Sequence, residues 1–367
     1  VTIVILMGTI VVNRQLNYMQ KKDPGFAKEN LLLIHRSDVL EGRIDAFKEE
    51  IEQHSNVIVA ANTNAIPSGS YSDNGHMMEG WDRTDIFTLA TFRVSYDFDK
   101  AMGLEMASGR FFSRDMPSDS SAVIINEAAV RALGLEDPLT NRFVDLTEDG
   151  QDGGFVPIIG VVKDFHFASM QADIGPMAIY FMPGNFEGYI TVRLGDGNKA
   201  ETIAFLERTW NEFKQDAPFE YSWMDEEFGK MFATERRTSQ ILLVFSFLSI
   251  FITCLGLLGL ISYTTNQRTR EIGIRKIMGA SEQVVMRLLS REVANLLIVS
   301  GLISIPAFFG ARAWLQKFAY HINFQMGVFF LVLFLVSAIV LLLAMLTVSY
   351  HSYKAATANP ADSIRSE

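Results

Sequence analysis

Hydrophobic positions along this chain fall into two regimes. Up to about residue 235 apolar residues alternate with charges every few positions. Beyond Gln240 they run on for twenty residues at a time. Ile241–Tyr263 contains 23 residues without a charge, and a helix of that length reaches roughly 34 Å, enough to cross a hydrocarbon core of about 30 Å. Gly327–Val348 is equally uncharged. Val293–Leu315 carries only Arg312 and has Pro306 in its middle, which membrane helices tolerate better than soluble ones. The pattern predicts three complete spans, 241–263, 293–315 and 327–348. The opening run VTIVILMGTIVV (1–12) is too short to span and lacks a charged leader or a cleavage site. It is expected to be the second half of a span in a C-terminal fragment of a longer membrane protein.

Between these runs, residues 13–235 mix strand and helix periods. Leu31–His35 and Val57–Thr63 read as strands flanking an amphipathic helix, Arg43–His54, with Ile44, Phe47 and Ile51 on one face, a βαβ-like opening. Ala122–Gly134 passes from a β-branched strand into a helix with Asn126 as N-cap and Gly134 as C-cap. Val156–Phe165 and Tyr189–Gly195 read as strands. Ala200–Gln215 reads as a helix with Ile203, Leu206, Trp210 and Phe213 inward. The expected fold class is α+β: a mixed α/β extracytoplasmic domain inserted between transmembrane α-helices, three complete and one partial.

Charge orients this arrangement. The loop 264–291 holds Arg268, Arg270, Arg275, Lys276, Arg287 and Arg291, whereas the loop after 293–315 holds Arg312 and Lys317, so the former is expected in the cytoplasm. Arg236 and Arg237 count mildly against this. The segment 13–235 then lies outside. It carries 20 Lys+Arg against 37 Asp+Glu, while residues 236–367 carry 12 against 5, a balance that argues against nucleic acid as a partner. The single cysteine, Cys254, sits within a predicted span and excludes an intrachain disulfide.

Candidate chemistry is sparse. Asp164 and His166 in KDFHF would share a face of a strand. His76 lies near Glu79 and Asp82, and Asp225, Glu226 and Glu227 form an acidic cluster. None has the spacing of a metal site or catalytic set, and each reads more readily as a structural or solvated group. GxSxG, HExxH, CxxC and Walker A patterns are absent from the sequence. No catalytic, cofactor or metal residues are expected. QRTREIGIRKIMGAS (267–281) is different. As a helix it would put Ile274, Ile277 and Met278 on one face, with Glu271 four residues before Arg275. Such a basic amphipathic segment can lie on anionic lipid, enforce topology, or dock a cytoplasmic partner.

The order of an extracytoplasmic domain between two spans, then TREIGIRKIMGAS, two further spans and a tail ending NPADSIR, resembles the FtsX/MacB family of ABC transporter permeases. Within the domain NYMQKKDPGFAKENLL (17–32), MGLEMASGRFFS (102–113), AVIINEAAVRALGLEDP (122–138) and IIGVVKDFHFASM (158–170) resemble the MacB-like periplasmic core. The resemblance implies a multi-pass subunit of the bacterial inner membrane that is not itself an enzyme. It implies a cytoplasmic ABC ATPase as partner, a dimer of permease halves and a periplasmic adaptor, with lipid around the spans. It also implies that Arg270, Glu271, Ile272, Gly273, Arg275, Lys276, Gly279 and Ala280 form the contact with that ATPase, and that 349–367 is a cytoplasmic tail. The exported substrate is not legible. A membrane-anchored sensor with an extracytoplasmic ligand-binding domain is the alternative.

Overall fold

A computed structural model describes residues 1–67, 71–82, 84–146, 154–182, 184, 188–267, 282–322, 326–327, 329–331, 333–339, 342 and 346. The chain divides into two units, Val1–Met19 with Thr234–Glu367, and Gln20–Ala233.

In the first unit the opening apolar run begins a longer helix, α1 (Thr2–Lys21). No breaker occurs before Pro24, so the helix continues through Asn13, Arg14 and Asn17. The long helices α7 (Ala233–Gln267) and α8 (Glu282–Leu315) follow the domain. Ala233–Thr264 and Ile298–Leu315 are long and apolar enough to cross a membrane, and a shorter apolar helix covers Phe329–Ile339. The predicted third span, 327–348, lies only partly within the described residues. Phe247, Phe251 and Ile252 of α7 are at least 60% exposed, an arrangement that suits lipid and not water. Ile3, Met7 and Val11 of α1 pack with Phe308 and Leu315 of α8 and with Phe329 and Val336.

The second unit is built on an eleven-stranded sheet in the order β11-β1-β10-β2-β4-β3-β7-β8-β6-β9, with β5 (Met106–Gly109) pairing β8. Its first arm contains β1 (Leu31–His35), β2 (Val57–Thr63), β10 (Tyr189–Leu194) and β11 (Tyr221–Trp223). The helices α2 (Ile44–Glu52) and α5 (Lys199–Phe213) cover one face of it. Phe47, Ile51, Leu206 and Trp210 meet Leu32, Ile34, Ile190 and Val192 in a continuous core, and Phe47 stands edge-on to Trp210 at 5.7 Å. Leu206 and Trp210 are inward as the periodicity predicts, while Ile203 and Phe213 are half-buried. Thr202 and Thr209 are also inward, because each hydroxyl bonds a carbonyl one turn back.

The predicted βαβ opening is corrected in one respect. β1 and β2 run in the same direction but do not touch, since β10 inserts antiparallel to both. Sequence separation hides this insertion: the partner strand arrives about 130 residues later.

The second arm comprises β3 (Ser72–Met78), β4 (Phe87–Val94), β6 (Val123–Asn126), β7 (Arg142–Leu146), β8 (Val156–Val162) and β9 (Met177–Phe181). The parallel pairing of β4 with β9 closes these six strands into a barrel. Leu89, Val123, Ile125, Phe143, Ile158 and Ala178 fill it. The helix α4 (Glu127–Leu133) starts at Asn126, whose side chain accepts from Ala129 N, and stops at Gly134 with φ +63°, as the capping residues predict. A single bridge, Thr63 to Val94, links the two arms between β2 and β4.

Candidate functional site

The basic motif carrying Arg270, Glu271, Ile272, Gly273, Arg275, Lys276, Gly279 and Ala280 lies outside the described residues, in the connection between α7 and α8. The other three candidates lie within the domain, and the structure gives each a structural setting.

Strand β8 ends at Val162, so Asp164 and His166 stand in irregular chain instead of sharing a strand face. Asp164 turns both oxygens to α4. One accepts from Ala128 N at 2.8 Å, and the other pairs with Arg131. A carboxylate at the first turn of a helix complements its exposed amides and macrodipole. His166 is buried, and its backbone N–H donates to the carbonyl of Pro24 at 2.7 Å. Burial, reinforced by the charge of Lys22 and partly opposed by Asp164, lowers its imidazole to a pKa of about 4.

His76 does not gather Glu79 and Asp82. Glu79 faces Arg142 at 3.6 Å and Asp82 is exposed. His76 instead pairs across strands with Asp145 of β7, at one end of the barrel. Its Nδ1 donates to the carbonyl of Asn74 at 2.9 Å, which leaves Nε2 as the acceptor of a neutral ring. Asp145 accepts from Asn74 Nδ2 at 3.0 Å and from Arg93 Nη2 at 3.0 Å. The ring stacks on Phe87 and on Tyr180, at 6.1 and 5.8 Å. Burial holds His76 below the ordinary imidazole value although Asp145 opposes the shift, and burial raises the Tyr180 phenol. This polar plug was not foreseeable from spacing, because its members come from four strands.

Asp225, Glu226 and Glu227 occupy the first turn of α6 (Met224–Lys230). Glu227 pairs with Lys230 one turn on, at 2.7 Å, and Asp225 accepts from Glu226 N. They form a helix start. Among the described residues, no three His, Cys, Asp or Glu side chains gather as metal ligands.

The first unit holds a constellation that the sequence reading missed. α1 and α7 run antiparallel and are joined by side-chain hydroxyls. Thr2 Oγ1 lies 2.7 Å from both Ser249 Oγ and Thr253 Oγ1, Thr9 Oγ1 lies 2.8 Å from Ser246 Oγ, and Ser239 donates to Asn13 Oδ1 at 2.9 Å. The signal was available: Ser239, Ser246 and Thr253 recur every seven residues, the latter two within the long apolar run, the period of a helix seam. Hydroxyls at such a seam let two helices approach closely and hold them by directional bonds where lipid offers none. A second contact joins Gln15 of α1 to the turn after α8, where Nε2 donates to the carbonyl of Tyr320 at 2.6 Å and Oε1 accepts from Ile322 N at 2.9 Å. These contacts join helices, and none of their groups is positioned for covalent chemistry.

Residues 243–360 match the family described as FtsX-like permease C-terminal. The chain is similar to the macrolide export ATP-binding/permease protein MacB of Chromobacterium violaceum, 26% identical over 230 residues, 59% of this chain and 34% of that protein. The matched region thus spans about a third of the length of that relative. Among solved structures, the periplasmic region of MacB from Actinobacillus actinomycetemcomitans aligns with 57% of this chain and 94% of its own, at 15% identity and a TM-score of 0.41. A permease-protein domain from Porphyromonas gingivalis aligns with 53% of this chain and 89% of its own, at 20% identity and a TM-score of 0.39.

Proposed function

We propose that this chain, an FtsX/MacB-type permease homologue with an FtsX-like permease C-terminal region, is the non-catalytic membrane subunit of an ABC transporter. It works with a separate cytoplasmic ATPase, in the bacterial inner membrane, with its α/β domain on the periplasmic side. The observation that carries this reading is the FtsX-like region beginning within α7, the helix that leads directly out of the domain. ATP-driven closure of the ATPase displaces the basic connection 268–281, and α7 and α8 deliver that displacement outward. A dimer of permease halves and a periplasmic adaptor complete the assembly. Its output is efflux, lipoprotein release or mechanical signalling.

In this reading Arg270, Glu271, Ile272, Gly273, Arg275, Lys276, Gly279 and Ala280 are the ATPase contact. Guanidinium and ammonium groups supply the charge, and the glycines permit close backbone approach. The test is the double substitution Arg275→Glu, Lys276→Glu in the permease co-expressed with its ATPase. The permease is expected to reach the membrane normally while substrate stimulation of ATP hydrolysis is abolished. Unchanged stimulation overturns the assignment.

A further inference from the structure

Gln15 is a polar side chain only 1% exposed, and it continues the i, i+4 stripe Ile3, Met7 and Val11 by which α1 packs on α8 and on Phe329 and Val336. Apolar packing of that kind is non-directional, so helices held by it alone can slip along one another by small shear steps. The Gln15 carboxamide prevents slip, because it pairs with the backbone at residues 320 and 322 as a neighbouring strand would, donating at one position and accepting at the other. A primary amide offers both a donor and an acceptor in one plane. A carboxylate retains the acceptor alone, and a leucine retains neither. On its other side α1 is held to α7 by the Thr2, Thr9 and Asn13 contacts, and α1 runs without a break to Lys21, past the domain's first residue, Gln20.

We infer that Gln15 is the positioning residue that locks α1 in register with the turn following α8, so that displacement of the later membrane helices reaches the domain through α1 as well as through α7. This rests on the permease reading above, in which ATP hydrolysis displaces those helices.

The experiment uses the full-length permease with its ATPase in lipid nanodiscs. Nitroxide probes at Ile58 of the domain and Leu302 of α8, both more than 60% exposed, report the distance change between ATP-trapped and nucleotide-free states. In Gln15→Leu the change is expected to shrink at least twofold while the rate of ATP hydrolysis stays within twofold of the parent. Gln15→Glu is expected to fall between. A Gln15→Cys, Ile322→Cys pair should lose the change and recover it when a short thiol cross-linker ties the two positions. A full-amplitude change in Gln15→Leu, or no recovery on cross-linking, overturns the inference. If Gln15→Leu fails to assemble, the Gln15→Glu and cross-linked proteins decide the matter on the same criteria. Absence of any nucleotide-dependent change in the parent protein would instead overturn the permease reading itself.

Discussion

The side-chain oxygen of Asn126 accepts the backbone N–H of Met177 at 2.9 Å while accepting that of Ala129 at the same distance. One atom therefore caps α4 and holds the start of β9 beside it, and the amide nitrogen donates to the carbonyl of Gly175 at 2.9 Å. Removal of the cap alone costs about 1 kcal/mol, and each buried amide left without a partner adds roughly 1–3. Asn126→Ala is expected to destabilise the protein by about 3 kcal/mol, measured by denaturant unfolding. A change under about 1 kcal/mol would show that the bond to Met177 contributes nothing.

Asp119 is buried and takes both terminal nitrogens of Arg110, together with Ser113 N at 2.8 Å. The Arg110 bonds depress its carboxyl below the ordinary range, against the opposing effect of burial. A depressed carboxylate stabilises the fold above its unfolded value of about 3.9, and that stability is lost as pH falls through the folded value. Asp119→Asn is expected to cost about 2 kcal/mol at pH 7, since Arg110 is itself partly solvated. The difference from the parent should narrow below pH 4. A pH-independent difference would assign the cost to shape instead of charge.

His166 and His76 have the opposite requirement, since both are kept neutral by burial. Protonation favours the unfolded chain, so stability declines as pH falls from about 6.5 and levels off only below about 4 for His166. That shift corresponds to on the order of 3 kcal/mol, of which about 2 is gone by pH 5. Fluorescence of the buried Trp210 during chemical unfolding at pH 7 and pH 5 reads this directly. His166→Gln should flatten the profile, and an unchanged slope would place the titration elsewhere.

The seam between α1 and α7 is expected to behave as weakly coupled pairs. Thr9→Val and Ser246→Ala should each destabilise the helix pair modestly, with a coupling energy of about 0.6 kcal/mol in a double-mutant cycle, the usual size for hydrogen bonds between membrane helices. Unfolding in mixed micelles supplies the measurement. Strict additivity would mean that the 2.8 Å contact is replaced by other partners in the singles.

How legible the molecule was depended on the range of the interaction. Asn126 and Gly134 announced a helix start and stop because capping involves residues three or four apart. The long apolar runs announced α7 and α8 because a hydrocarbon core sets a minimum length. His76, by contrast, suggested Glu79 and Asp82 as companions through proximity in sequence, yet strand pairing gave it Asp145 and ring stacking gave it Tyr180, roughly 70 and 100 residues away. The seam hydroxyls follow a heptad that a window of hydropathy conceals, since there a serine merely dilutes the signal.

Amino-acid order by itself determined the two materials of this chain, the capped helices, the strands β1 and β2 and the basic motif between α7 and α8, all features set by local sterics, length or charge. Tertiary structure alone decided that β10 separates β1 from β2, that β4 and β9 close a barrel, and that Gln15 reaches the backbone at 320 and 322. Each of these joins segments distant in sequence, and such pairings are chosen by the fit of whole faces, a property that no local pattern carries.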